Sequence, residues 1–232
     1  MHDVAPPPSR KRFTREDAET RRRALIEATV RALARYGAAG VSVRTIAREA
    51  DVSAGLVAHH FGGVEALIAE AYRALAGRIG VAQMAAAKRE ADPRAALNAY
   101  VEASFRPPVL EPDLLATWIG FWGLTKTSGP VAEAHRDVYA AYCADIETLL
   151  APCLPAAANL RMAAVAMAAL IDGLWLELSL DGGAFTSDQA AAAACALINA
   201  WLPDAPPDSR SARASRDGAG NGDRTRITSL EG

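Results

Sequence analysis

The sequence predicts an all-α fold, with a three-helix head that contains a helix-turn-helix and a larger helical body behind it. Three observations carry this expectation. The apolar share of the chain, 51% of 232 residues, leans on alanine, the strongest helix former. Apolar residues recur at three- and four-residue spacing, not in strand-like alternation. The periodic segments open on Ser, Thr or Asp and close on Gly or Pro, as helices do. About nine helices and no strand are expected.

Residues 1–13 hold three consecutive prolines and the run Arg10-Lys11-Arg12, and read as a flexible basic arm. Thr14, with Asp17 in the manner of a capping box, opens the first long helix. Ile26, Val30, Leu33 and Ala34 mark its buried stripe, and Gly37 stops it. Ser42 caps a short helix carrying Val43, Ile46, Ala47 and Ala50 on one face. Asp51-Val52 breaks that helix, and Ser53 caps another that runs through His59. Two short helices joined by a tight turn form the helix-turn-helix unit. Its second helix enters the DNA major groove while the first crosses the backbone. An ordinary helical corner has the same spacing.

Phe61-Gly62-Gly63 ends the head at about residue 62. The body then spans 63–203. Leu67, Ile68, Ala71, Tyr72, Leu75 and Ile79 stripe a helix that joins head to body. Asp92-Pro93 opens the next helix, with Asp as cap and Pro at the first helical position. Asp113 opens one bearing Leu115, Trp118, Ile119 and Trp122. Val131–Leu150 is a long helix, Ala156–Leu180 the most apolar one, and Thr186 or Ser187 caps the last, through Trp201. After Pro203 the composition turns to Asp, Ser, Arg, Gly and Pro. The 204–232 tail cannot bury enough apolar surface to offset its ordering entropy, and is expected to be disordered.

Several function classes are disfavoured. No run of 18 or more uncharged apolar residues suggests a membrane span, and the N-terminus lacks the apolar core of a signal peptide. A cytoplasmic chain with no membrane partner is expected. Cys143, Cys153 and Cys195 are odd in number and widely spaced, as in neither a disulfide framework nor a metal site; they read as buried, reduced thiols. No cofactor motif, nucleophile–base pair or metal cluster is found. Charge is uneven: residues 1–60 hold 11 Lys and Arg against 7 Asp and Glu, and residues 61–201 hold 9 against 15. A basic N-terminal quarter on an acidic remainder suits a nucleic-acid reader attached to a domain that stays off the DNA.

Arg22-Arg23 with Ile26 and Ala28, Thr45-Ile46-Ala47, Ala50-Asp51-Val52-Ser53-Ala54-Gly55, and His60-Phe61 followed by Leu67 occur in an order and spacing that resembles the TetR/AcrR family of transcriptional repressors. Trp118-Ile119-Gly120-Phe121-Trp122 and Ala169 to Leu176 look like the regulatory domain of its BetI-type members. The resemblance implies a homodimer built on the last two helices, a near-palindromic double-stranded operator, and a small-molecule effector that releases it, a quaternary ammonium such as choline being one possibility. Three positions depart from the family pattern: Asp51 where glycine is usual, Ala58 where tyrosine is common, and Val64 where a phosphate-binding lysine often stands.

On this reading Ser42, Arg44, Thr45, Ser53, Ala54, Gly55, Leu56, His59 and His60 face DNA. Arg44 suits a phosphate or a guanine edge, and Ala54 and Leu56 offer apolar contact to thymine methyls. Trp118, Phe121, Trp122, Asp172 and Trp175 are expected to line a ligand cavity, because aromatic rings with a carboxylate suit a cationic ligand; the same rings could equally fill a core. The rival readings are a small all-α enzyme, for which no catalytic constellation is found, and a family member that no longer reads DNA.

Overall fold

The computed structural model describes residues 15–203, and these hold nine α-helices and no strand. The basic arm, the Thr14–Asp17 cap and the 204–232 tail lie outside the described residues. The head comprises α1 (Arg15–Gly40), α2 (Val43–Glu49) and α3 (Ala54–Phe61). The body comprises α4 (Val64–Ala87), α5 (Pro93–Ala103), α6 (Pro112–Leu124), α7 (Gly129–Leu150), α8 (Leu160–Leu180) and α9 (Ser187–Trp201), with a 3-10 turn at Ala151–Cys153.

The capping signals work largely as the side chains suggest. Ser42 and Thr45 form a reciprocal capping box at α2, and Thr186 and Gln189 form another at α9. Asp92 accepts from the Ala95 N–H at 2.8 Å. Some boundaries move. Tyr36 is followed by Gly37 at φ 64°, so α1 kinks where a stop was expected and continues to Gly40. The eighth helix begins at Leu160 rather than Ala156, with Asn159 accepting from the Met162 N–H. Its start waits for a capping side chain beyond Pro155. Glu111 precedes α6 without a side-chain cap, and Asp113 falls inside its first turn.

Two cores result. The head packs Leu25, Ala28, Ala32, Ile46, Val57 and Leu67 together. The body core gathers Leu33 with residues from α4 to α9. Helix α1 therefore has two buried faces. Leu25, Ala28 and Ala32 face the head, whereas Leu33, with the half-buried Ile26 and Val30, packs on the body. Of the expected stripe of Ile26, Val30, Leu33 and Ala34, Val30 and Leu33 pack on the body and Ile26 touches both cores.

Helix α8 is long and apolar enough to cross a membrane by length and composition, although Arg161, Asp172 and Glu177 interrupt it. Ala164, Met167, Ala168, Ile171 and Trp175 bury one side of it in the body. Met162, Leu176, Leu180, Leu197 and Trp201 remain exposed on α8 and α9. Of the three free cysteines, Cys143 is buried and Cys153 and Cys195 are half-buried.

Candidate functional site

The corner between α2 and α3 is a two-bond C-cap. The Val52 N–H donates to the Ala47 carbonyl at 3.0 Å and the Asp51 N–H to the Arg48 carbonyl at 3.3 Å. That pattern requires a left-handed residue between them, and Asp51 supplies it at φ 52°, the one non-glycine with positive φ among the described residues. The departure from glycine thus keeps the turn and carries the strain of a side chain in the left-handed region.

Ser42, Arg44, Ser53, Ala54, Gly55 and His59 are exposed on α2, α3 and the turn. Arg44 makes no ion pair or hydrogen bond among the described residues. Thr45 is different. Its hydroxyl accepts from the Ser42 N–H at 2.8 Å and lies 3.2 Å from the Gly40 carbonyl, so it holds the start of α2 in place. Leu56, expected to be exposed, is half-buried against the head core, because α3 must bury one face on α1 and α2. His60 is also half-buried. Burial first, then the neighbouring His59, Arg21 and Arg22 charges, lowers its pKa. Arg22 stacks on the Phe61 ring at 4.5 Å, donates to the His60 carbonyl at 3.4 Å and pairs with Glu70 of α4. One arginine therefore ties α1, the end of the recognition helix and the start of the connecting helix.

The body contains a cavity of about 660 Å³ between α4, α6, α7 and α8. Trp118 and Trp122 reach it from one face of α6, Asp172 and Trp175 from α8. Phe121, expected beside them, does not line it. It is fully buried and stacks on the far side of Tyr72 at 4.5 Å, since it sits about 100° around α6 from Trp122. The rings sequence reading missed are Tyr72 on α4 and His135, Tyr139 and Tyr142 on α7. Tyr139 and Tyr142 are three apart on α7, with His135 a turn earlier, a spacing that could have marked a single face.

The rings hold one another. Trp118 meets Tyr72 edge-on at 5.2 Å and Trp175 at 6.0 Å. Trp175 donates to the buried Ser104 carbonyl at 2.8 Å, and the Ser104 hydroxyl accepts from Gln83 at 2.8 Å. Asp172 stands among them with no hydrogen bond or ion pair among the described residues. Burial alone raises its pKa to about 7. Glu177, the other carboxylate on this helix, is exposed. No group of His, Cys, Asp or Glu among the described residues could hold a metal ion.

The cavity is joined to the head. The face of α6 away from Trp118 and Trp122 lies on α1. A Cβ on Gly120 would come within 3.2 Å of Leu33, and the Thr117 hydroxyl reaches the Val30 carbonyl at 3.3 Å. On α4, Arg78 pairs with Glu27 of α1, and Glu65 accepts from Ser128 at 3.1 Å.

A helix-turn-helix head carried on a helical body with an aromatic, acid-containing cavity defines a one-component regulator, a protein that joins a DNA-binding element to a ligand-binding one. Comparison makes the assignment specific. Residues 25–71 match the family model of bacterial regulatory proteins of the tetR family, and residues 93–203 match that of the BetI-type transcriptional repressor C-terminal domain. The HTH-type transcriptional regulator BetI of Burkholderia thailandensis is 34% identical over 178 residues, 74% of this chain and 88% of the relative. That of Yersinia pestis strain Pestoides F is 35% identical over 176 residues, covering 73% and 86%. The chain belongs to the TetR family of transcriptional regulators, with a BetI-type C-terminal domain.

Among solved structures, one from Pseudomonas aeruginosa PAO1 superposes with a TM-score of 0.73 at 37% identity, over 82% of this chain and 94% of that one. A Saccharomonospora viridis protein crystallised in complex with choline gives 0.66 at 23% identity, over 79% and 98%, which shows the shared fold. The families and relatives are transcriptional regulators, so the chain is a regulator and not an enzyme.

Proposed function

We propose that the chain is a ligand-responsive repressor that releases a near-palindromic operator when a quaternary ammonium, choline being the simplest example, enters the body cavity. The observation that carries this reading is Asp172, a carboxylate without a partner among Tyr72, Trp118 and Trp175. A buried carboxylate is costly unless it meets a positive charge. Ringed by aromatic faces, it favours a cation that cannot donate hydrogen bonds.

We divide the chain into a DNA-binding head over 14–62 and a ligand-binding and dimerisation body over 63–203, in line with its two cores. Ser42, Arg44, Ser53, Ala54, Gly55 and His59 meet DNA in this reading, and His60 adds a phosphate contact. Thr45 and Leu56 position the reading surface instead. The exposed Met162, Leu176, Leu180, Leu197 and Trp201 support a homodimer interface on α8 and α9, where a second copy would remove that apolar surface from water. Dimerisation places two heads on half-sites about one helical turn apart. A cytoplasmic location follows from operator binding.

The effector acts by preferring the state whose head spacing does not fit the operator. Both α4 and α6 link the cavity to α1, so movement of either ring-bearing helix reaches the head. The test is a gel shift on DNA flanking the gene, across a salt series, with and without choline. A shift that choline dissolves is expected. No shift on any flanking DNA would sink the repressor reading, and a shift indifferent to every ammonium would sink the effector class.

A further inference from the structure

The cavity is a slit, and its length points to a particular class of ligand. Tyr72 bonds to His135, Arg73 to Asp137, and Gly80 faces Asp145, so α4 and α7 run in the same direction with the slit between them. Exposed Arg73, Gly77, Val81 and Lys88 form one lip. Asp137 and Ala141 lie on the other. From the Tyr72–His135 level to the Gly80–Asp145 level the slit extends about 12–15 Å at 1.5 Å of rise per residue.

Its two ends differ. One holds Trp118, Trp122, Tyr72 and His135. The other holds Asp145, Gln83, Met84 and Lys88. The charges lining the slit are Arg73, Lys88, Asp137, Asp145 and Asp172. Arg73 and Asp137 satisfy each other at 2.9 Å. Asp145 is half-buried and has no hydrogen bond or ion pair among the described residues; Lys88, the nearest cation at that end, is exposed to solvent. A Cβ on Gly80 would lie 3.7 Å from the Asp145 carboxylate, an ordinary contact, and one on Gly77 would meet nothing within 4 Å. Two carboxylates therefore lack partners in one elongated, largely apolar volume. A compact ammonium satisfies one of them and leaves most of 660 Å³ unfilled.

We infer that the slit takes an elongated dication, with a quaternary ammonium held by the aromatic rings and Asp172 and a second cationic centre held by Asp145. The inference rests on the quaternary-ammonium reading of the same cavity and extends it to the far end. A single ammonium head on an apolar tail gains the rings and the apolar wall but leaves the half-buried Asp145 with only the exposed Lys88 nearby.

The test uses the full chain and quenching of its tryptophan fluorescence by tetramethylammonium, decyltrimethylammonium and decamethonium, which share head chemistry and differ in length and in the second charge. Decamethonium is expected to bind about tenfold or more tighter than decyltrimethylammonium, since its second centre gains an ion pair at the half-buried Asp145. Asp145→Asn is expected to shrink that ratio below about threefold, and Lys88→Glu, on an exposed side chain at the same end, to widen it. Both ratios are internal to one preparation and so control for folding. A wild-type ratio near one, or a ratio that neither substitution changes, overturns the dication assignment while binding of the monocations leaves the ammonium reading standing. No quenching by any of the three overturns both.

Discussion

The Tyr72 hydroxyl and the His135 Nδ1 lie 2.9 Å apart and bridge α4 to α7 at the wall of the cavity. Burial holds the Tyr72 phenol protonated far above its usual range, and burial, aided by Lys126, lowers the His135 pKa. With the imidazole neutral and its proton on Nε2, Nδ1 accepts from a phenol that keeps its proton. Tyr72 also stacks on Phe121 and meets Trp118, so one side chain on the helix that leaves the head touches both the ligand cavity and the core behind it.

Tyr72→Phe is expected to lower stability by about 1 kcal/mol, the worth of one part-buried hydrogen bond, with the ring packing retained. Thermal melts measure it. His60 and His135 both have pKa values below 6.5 in the folded chain, so the unfolded chain binds protons first as pH falls. The stability they allow is complete above about pH 6.5 and declines as pH drops through their lowered values.

Asp172 has the opposite sign. Its pKa rises from 3.8 to about 7 on folding, so the folded chain is the better proton binder, and stability is lost as pH rises through that window. Asp172→Asn is expected to raise the melting temperature at pH 8, to do little at pH 4, and to abolish ammonium binding. In the wild type, affinity for an ammonium rises with pH up to about 7 and then levels, because the cation needs the ionised carboxylate. Titration at several pH values gives the profile; an affinity that falls with rising pH contradicts the assignment.

Asp51→Gly is expected to stabilise the head by about 0.5–1 kcal/mol. The relief of a left-handed side chain at φ 52° exceeds the extra unfolded-state entropy of glycine. Melting curves of the two proteins decide it, and an unchanged or lower midpoint means the Asp51 side chain offsets its own strain.

Arg44→Ala is expected to weaken operator binding about tenfold or more and to reduce the slope of log affinity against log salt by about two, one per protomer of the proposed dimer, if the contact is to phosphate. A base contact would leave the slope intact and relax the sequence preference at one position. Unchanged affinity and slope together would remove Arg44 from the interface.

Gly120→Leu is expected to retain ammonium binding and to lose effector-driven release. The new side chain would press on Leu33 and the Ala38 backbone, prising α6 from α1 while Trp118 and Trp122 stay on the cavity face. Parallel fluorescence and gel-shift titrations separate the two effects; normal release would show that α6 is not part of the link.

The sequence by itself determined what is local. Ser42, Asp92 and Thr186 announce helix starts because a capping side chain acts on N–H groups two or three residues away. The motif from Thr45 to Gly55 marks the head for the same reason, and Trp118, Trp122 and Trp175 stood out as rings at helical spacing. What only the tertiary structure decided depends on partners distant in the chain. Phe121 misses the cavity because the Tyr72 ring of α4 lies against it. Leu56 turns inward because α3 has a face to bury. Tyr72 and Asp145 acquire meaning only when α4 lies beside α7, more than sixty residues later. Periodicity gives the direction a side chain takes from its own helix, and packing alone settles what waits there.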